Sequence, residues 1–236
     1  MKKVLLHSFI LMGFVCAVFT TSAQTADEVI DKYLTAIGGK DKWKKINSLK
    51  MDGQIEVQGL EIPFKVQAIN LKGLRVDAEF QGNQIIDITT PDKGWMQNPM
   101  MGKTTLQPLT PDELSNKLDD LDIQGPFVDY KEKGSIVEAL GKDEEDGNEY
   151  FKIKLTTKNK NETTYYFDLK TNLIYKQESV TQQQGQDVKM TSKMLDYQDT
   201  DFGVKMPFKV DQNGMMLVTK TVSTNPPVDE KIFSDK

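Results

Sequence analysis

From Leu49 onward the chain keeps returning to one rhythm, apolar and polar residues taken in turn. Successive side chains of an extended strand point to opposite faces, so a period of two prescribes a sheet with one oily and one wet face. Leu49, Met51, Ile55 and Val57 alternate with Lys50, Asp52, Gln54 and Glu56. Ile62, Phe64, Val66 and Ala68 follow a turn at Gly59, and the parity shift at Ile69 and Leu71 is what a bulge would give. Leu74, Val76, Ala78 and Phe80 come next, closed by Gly82-Asn83, a pair suited to a hairpin. Ile86 and Ile88 then lead through Pro91-Asp92-Lys93-Gly94 to Trp95.

The rhythm resumes in Phe151, Ile153 and Leu155, in Tyr165, Phe167 and Leu169, and more weakly in Val188, Met190 and Met194. Val204, Met206, Phe208 and Val210 are regular again, and residues 217–222 close the set after Asn213-Gly214. The acidic run Asp143 to Gly147 reads as a hairpin tip, as does Gln182 to Gln186; the oxygen spacing of a calcium loop is missing from the first. About ten to twelve strands joined mostly by short turns make an antiparallel meander.

Only short pieces carry helical period. Thr25 with Glu28 forms a capping box ahead of the stripe Val29, Ile30, Tyr33, Leu34 and Ile37, and Gly38-Gly39 ends the helix. A short turn follows with Trp43 and Ile46. Thr110-Pro111-Asp112-Glu113 starts a second helical segment, with Leu114, Leu118 and Leu121 as its apolar stripe. A sheet this wide curls through its own twist, and its apolar concave face must be covered. Helices at 25–38, 41–46 and about 110–121 supply a roof and little more. The economical architecture is a mainly β fold, a curled antiparallel sheet forming a half-open barrel with short helices as a lid. Its hollow is apolar and suits a greasy ligand.

The first 23 residues stand apart. Met1-Lys2-Lys3, an apolar run from Val4 to Phe19 and the small residues Thr21-Ser22-Ala23 have the layout of a cleaved secretory signal. The residues flanking Cys16 on its N-terminal side, Phe14 and Val15, are not the small ones that lipidation wants, so an exported, unanchored periplasmic chain starting near Gln24 is expected. Removing that segment takes away the only His and the only Cys. Ser-His-Asp and Cys-His catalysis, disulfides, and nearly all zinc, copper or haem sites go with them. It also removes two of 30 basic residues and none of the 35 acidic ones, so the remainder is more acidic than the full chain's −5. With Arg75 as the sole arginine, nucleic acid is not an expected partner. No internal repeat or long linker divides residues 24–236, which are expected to form one domain.

The order of the pieces resembles the LolA-like periplasmic lipoprotein-carrier family and its lipid-binding relatives. The opening helix and strand at 25–38 and 48–58 match, and so does the basic segment Lys72-Gly73-Leu74-Arg75-Val76. A turn followed by Trp-x-x-x-Pro appears as Asp92 to Pro99, and the closing Asn225 to Phe233 matches the family's ending. Lys72-Gly73 replaces the family's usual basic-Pro pair, and its Pro-rich tail after the last Phe is missing. The resemblance implies about eleven strands, a partly open barrel with a helical lid, a cavity for acyl chains, no catalysis and no cofactor. The partners it implies are a lipid or an acylated lipoprotein, and inner- or outer-membrane lipoprotein-sorting components. The chain is expected to work as a monomer.

Candidate cavity residues follow from the apolar face: Leu49, Met51, Ile55 and Val57, then Phe64, Val66, Val76 and Phe80, with Phe167, Met206 and Phe208. Trp95, Met96 and Met100 are added because an apolar loop broken by Pro99 suits a rim, and Leu114 and Leu118 because they face inward from the lid. Methionine is unbranched and adapts to variable chains. Arg75 is the candidate tether of the lid, through a guanidinium bond to a backbone carbonyl. Two rival readings remain: a protein-interaction or envelope-sensing module on the same fold, and a carboxylate-pair glycosidase using Asp119, Asp120 or Asp122. Solvation at a helix end explains those three acids as well.

Overall fold

The computed structural model describes residues 24–183 and 186–235. The expected signal segment lies outside them, as does the centre of the 182–186 tip. Two short helices open the fold, α1 (Ala26–Ala36) and α2 (Lys40–Trp43). The Thr25–Glu28 capping box forms in both directions, at 3.1 and 3.2 Å. Six strands follow: β1 (Ser48–Val57), β2 (Leu60–Ile69), β3 (Gly73–Phe80), β4 (Asn83–Thr89), β5 (Gly94–Asn98) and β6 (Lys103–Pro108). Helix α3 (Pro111–Ser115) and a 3-10 turn at Leu118–Leu121 lead across to β7 (Ile136–Glu145), β8 (Asn148–Thr156) and β9 (Glu162–Asp168). The chain ends with β10 (Ile174–Gln183), β11 (Gln186–Asp199), β12 (Lys205–Gln212), β13 (Met215–Thr224) and a 3-10 turn at Glu230–Phe233.

Among the described residues all thirteen strands lie in one antiparallel sheet, ordered β6-β5-β4-β3-β2-β1-β13-β12-β11-β10-β9-β8-β7. The chain begins in the middle, walks outward to one edge, crosses to the other edge, and walks back to pair β13 with β1. The two edge strands are not neighbours, so the barrel is unclosed. The count exceeds the expected eleven because β6 and β7 lack regular alternation: Lys103 to Pro108 is mostly polar, and Gly141 interrupts Ile136 to Glu145 with a bulge.

This topology makes residues 109–135 a lid by necessity, since they must travel from edge to edge. Their bonds also show the curl. Lys117 Nζ meets the Asp87 carboxylate on β4 at 2.5 Å. Two residues on, Asp119 accepts from Thr157, Asn159 and Asn161 in the turn between β8 and β9, at 2.9, 2.7 and 2.7 Å. In a flat sheet β4 and β9 would be about 38 Å apart at ~4.8 Å per strand. Two residues of backbone reach only about 7 Å. The two halves of the sheet therefore face one another, with residues 117–119 bridging the gap.

The convex side is less bare than alternation suggests. Lys176 is only 8% exposed there, lying 4.2 Å over the Tyr166 ring and bonded to Glu145 and Glu178 at 2.5 and 3.6 Å. Its aliphatic stem covers the sheet while its ammonium is held by carboxylates.

Candidate functional site

Strand register identifies the concave face, because directly paired residues share a side. Over β8 to β10 this face carries Ile153 with Tyr165, and Phe151 with Phe167 and Ile174. Helix α1 and the lid residue Phe127 pack onto it. Phe127 is 1% exposed, with its ring edge-on to Tyr33, Tyr165 and Phe167 at 5.9, 4.8 and 5.3 Å. Burial drives the Tyr33, Tyr165 and Tyr197 hydroxyls well above the usual phenol range. A cavity of about 170 Å³ remains between α1, residues 122–128 and Met206, with Leu34, Ile37 and Trp43 in its walls. This half of the hollow is filled by the chain itself.

The other half is different. Across β11, β12, β13, β1 and β2 one row on the same face reads Met194, Val210, Leu217, Ile55 and Ile62. A second row, from β13 to β5, reads Val222, Met51, Val66, Val76, Asp87 and Met96. Nearly all of these apolar side chains stay half-buried, as do Val57, Phe80, Met206 and Phe208. Leu49, Ile62 and Phe64 are buried. Phe64 reaches over β1 because Gly53 has no side chain: a Cβ there would sit 2.6 Å from the ring and 2.3 Å from the Val218 carbonyl oxygen. The result is an apolar inner surface covered only in part.

Lid contacts ring this surface. Besides the Lys117 and Asp119 bonds, Lys103 pairs with Glu113 at 2.7 Å, the Leu121 carbonyl accepts from the Leu71 amide at 2.8 Å, and the Ile123 amide donates to the Asn70 side chain at 3.2 Å. The Thr110–Glu113 capping box fixes the start of α3. Farther along, Asp129 takes Lys40 and, at 2.6 Å, Lys44; these bonds hold its carboxyl below the usual range.

Where the lid passes β8 to β11 it leaves a hollow of about 880 Å³ lined by polar groups, among them Asn116, Asp120, Asp122, Gln177 and Ser179. Burial is the main cause lifting Asp120 to about 6, with Asp119 and Asp87 adding to it and Lys117 opposing. More than a third of Asp120's own surface stays open, so solvent moderates that lift. Burial also raises Asp122 despite its 2.5 Å bond to Lys133, and its Oδ1 is buried without a donor. Among the described residues no group of three or more acids is gathered closely enough to hold a metal ion.

The sequence-selected residues divide accordingly. Met51, Ile55, Val57, Val66, Val76, Phe80 and Met96 share the partly covered face, and Met206 and Phe208 belong to β12 beside it. Leu49 and Phe167 belong to the packed core under α1, and Phe64 is buried against Gly53. Leu114 and Leu118 are half-buried in the lid. Trp95 does not join them: it pairs with Ile88, which pairs with Arg75, and that row lies on the opposite face. Met100 sits 63% exposed at the β5–β6 tip. Arg75 does bond a carbonyl, that of Ile232 at 3.1 Å, and it clasps Asp77 at 2.7 Å. It thus holds the C-terminal turn, whose Phe233 lies over Gly73, on the convex side; the lid is held by Lys117 and Asp119. Asp119, read from the sequence only as one of three acids at a helix end, fastens the lid through three partners some forty residues away, which no local pattern reveals.

No family model matches the sequence, and no curated protein matches it. Solved structures do match. A LolA superfamily protein from Nitrosomonas europaea superposes with a TM-score of 0.57 at 12% identity, covering 90% of this chain and 98% of that one. A domain assigned as an outer membrane lipoprotein-sorting protein from Vibrio parahaemolyticus gives 0.52 at 12% identity, over 86% and 97% of the two chains. A DUF1329 family protein from Desulfovibrio piger gives 0.56 at 9%, over 88% and 96%. The chain thus shares its overall fold with these solved structures, a LolA superfamily protein among them.

Proposed function

We propose that this chain is an exported, periplasmic, non-enzymatic carrier or binder of acyl chains, taken from a lipid or from an acylated lipoprotein. One observation carries the reading: a run of methionine, valine, isoleucine and phenylalanine on the concave face is only half covered, under a lid pinned by polar contacts. A monomer rarely leaves so continuous an apolar surface without a use for it. The assignment of the Vibrio parahaemolyticus domain as an outer membrane lipoprotein-sorting protein supports the same reading.

The energetics suit reversible carriage. Each buried CH₂ contributes ~0.8 kcal/mol, so a 16-carbon chain yields about 12 kcal/mol gross. Ordering the chain and parting the lid subtract from that. The lid's fastenings are individually modest, which suits a cover that must release. The test is displacement of a fluorescent fatty-acid probe, 11-(dansylamino)undecanoic acid, by unlabelled lipid. Saturable micromolar binding, weakened by Val76→Asp, is expected; a folded protein that takes up no probe sinks the reading.

A further inference from the structure

We propose that four hairpin tips at one end of the sheet dock on the surface of a phospholipid bilayer. The inference rests on the acyl-binding reading and names the surface against which the half-covered face takes up or releases its cargo.

From β6 across β1 and β13 to β12, neighbouring strands pair off into four adjacent hairpins. Because the sheet is antiparallel, their tips fall at one end: residues 57–60, 80–83, 98–102 and 212–215. None of these residues is charged, in a chain that is 28% charged. Each tip carries glycine, an amide side chain and an apolar residue: Leu60, Phe80, Met101 and Met215. Charges begin at the margins, with Glu56, Glu61, Glu79, Lys103 and Asp211. The opposite end is built otherwise. Its turns hold Lys72, Asp92, Lys93 and Asp201. Helices α1 and α2 close it, with Lys42 Nζ bonded to the Gly203 carbonyl at 3.0 Å and the Lys205 amide donating to the Ile37 carbonyl at 2.9 Å.

Leu60, Met100 and Met101 are 44%, 63% and 65% exposed, and among the described residues no hydrogen bond or ion pair ties the four tips to the lid. Single exposed apolar side chains are ordinary, but a charge-free row of them along adjacent tips marks an interaction surface. Its chemistry fits the boundary between lipid head groups and acyl chains. Leucine, methionine and phenylalanine gain there by leaving water, the amides and turn backbone keep polar partners, and no charge has to be carried in. A protein partner fits less well, since protein interfaces anchor on Trp, Tyr and Arg, and the tips have none. The tips also run directly into the proposed acyl site, because Val57 and Phe80 belong to the half-covered concave face. An acyl chain thus passes between bilayer and protein without crossing water.

The chain from Gln24 onward has no cysteine, so Met101→Cys and Leu71→Cys each take a single nitrobenzoxadiazole label, at opposite ends of the sheet. Phosphatidylcholine vesicles are expected to brighten the label at position 101 and shift its emission to the blue, and to leave the label at position 71 unmoved. In flotation, Leu60→Glu with Met101→Glu should weaken vesicle binding by about tenfold or more. The same double variant should take up the dansyl probe as the wild type does, which also shows that it is folded. Equal brightening at both positions overturns the proposal, as does a double variant that floats like the wild type. Brightening at position 101 on raising protein concentration without vesicles means that a second copy covers the tips, and overturns it too. A wild type that binds the probe and never floats removes the docking surface alone; one that binds neither removes the acyl-binding reading with it.

Discussion

The two halves of the concave face use the same strand alternation to opposite ends. Over β8–β10 the inward residues are met by α1 and by Phe127, and the rings interlock edge to face. Over β11–β13 and β1–β5 most inward residues of similar apolarity stay half-buried, although Leu49, Ile62 and Phe64 are buried and Met194, Met206 and Val222 touch the core cluster at its border. The difference lies in what the crossing segment offers each side. It sends an aromatic side chain into the first and fastens only its margins to the second, at Asp87 and Leu71. A fold can thus keep one side of its concave face as a stabilising core and leave the other only partly covered, without changing the sheet.

Substitutions can break that division or sharpen it. The largest effect is expected from Phe127→Ala, which empties the packed half and should cost about 3–5 kcal/mol in urea unfolding. Met51→Ala on the other half should cost about 1 kcal/mol or less. If the pair gave equal losses, the two halves would not differ as described. Next comes Gly53→Ala, whose added methyl must displace Phe64 or the β13 backbone; about 2–3 kcal/mol is expected, read from the thermal midpoint with the calorimetric enthalpy.

Asp119→Ala frees one margin of the lid. About 1–2 kcal/mol is expected, concentrated locally. Hydrogen exchange should quicken over 116–123 while the β8–β9 core amides stay protected, and uniform quickening would show that the lid and core open together. The smallest effect concerns Asp120. Its carboxyl is raised to about 6, chiefly by burial, so the protonated form is favoured in the fold. Stability from this group is therefore present below its unfolded pKa of ~3.9 and is lost as pH rises through about 6. Solvent contact keeps the magnitude under about 1 kcal/mol. Asp120→Asn should melt slightly higher than wild type at pH 7.5 and coincide with it at pH 4; coincidence at both would mean the carboxyl feels no burial.

Much of the architecture was legible locally. Both capping boxes, at Thr25 and Thr110, are determined within four residues, and the alternation around Leu49, Leu74 and Phe151 marks strands whatever their neighbours. The facing of Trp95 was not legible. Its side depends on the β3–β4 pairing of Arg75 with Ile88, and apolar residues at both Ile85 and Ile86 leave the local alternation ambiguous. Arg75 was recognisable as a donor to a carbonyl, but not that the carbonyl would be Ile232, 157 residues on. The polar hollow was hidden for the same reason: Asp120 and Gln177 become neighbours only through the crossing, and a sequence of acids at a helix end reads as solvated until that path is known.

The seam between β6 and β7 has a mechanical consequence. A closed barrel has its radius set by strand number and shear, so its bore comes in discrete sizes. A sheet whose first and last strands never meet carries no such constraint. Its girth is governed by twist and by a few clasps across the gap, so the bore can widen or narrow continuously with every interstrand ladder intact.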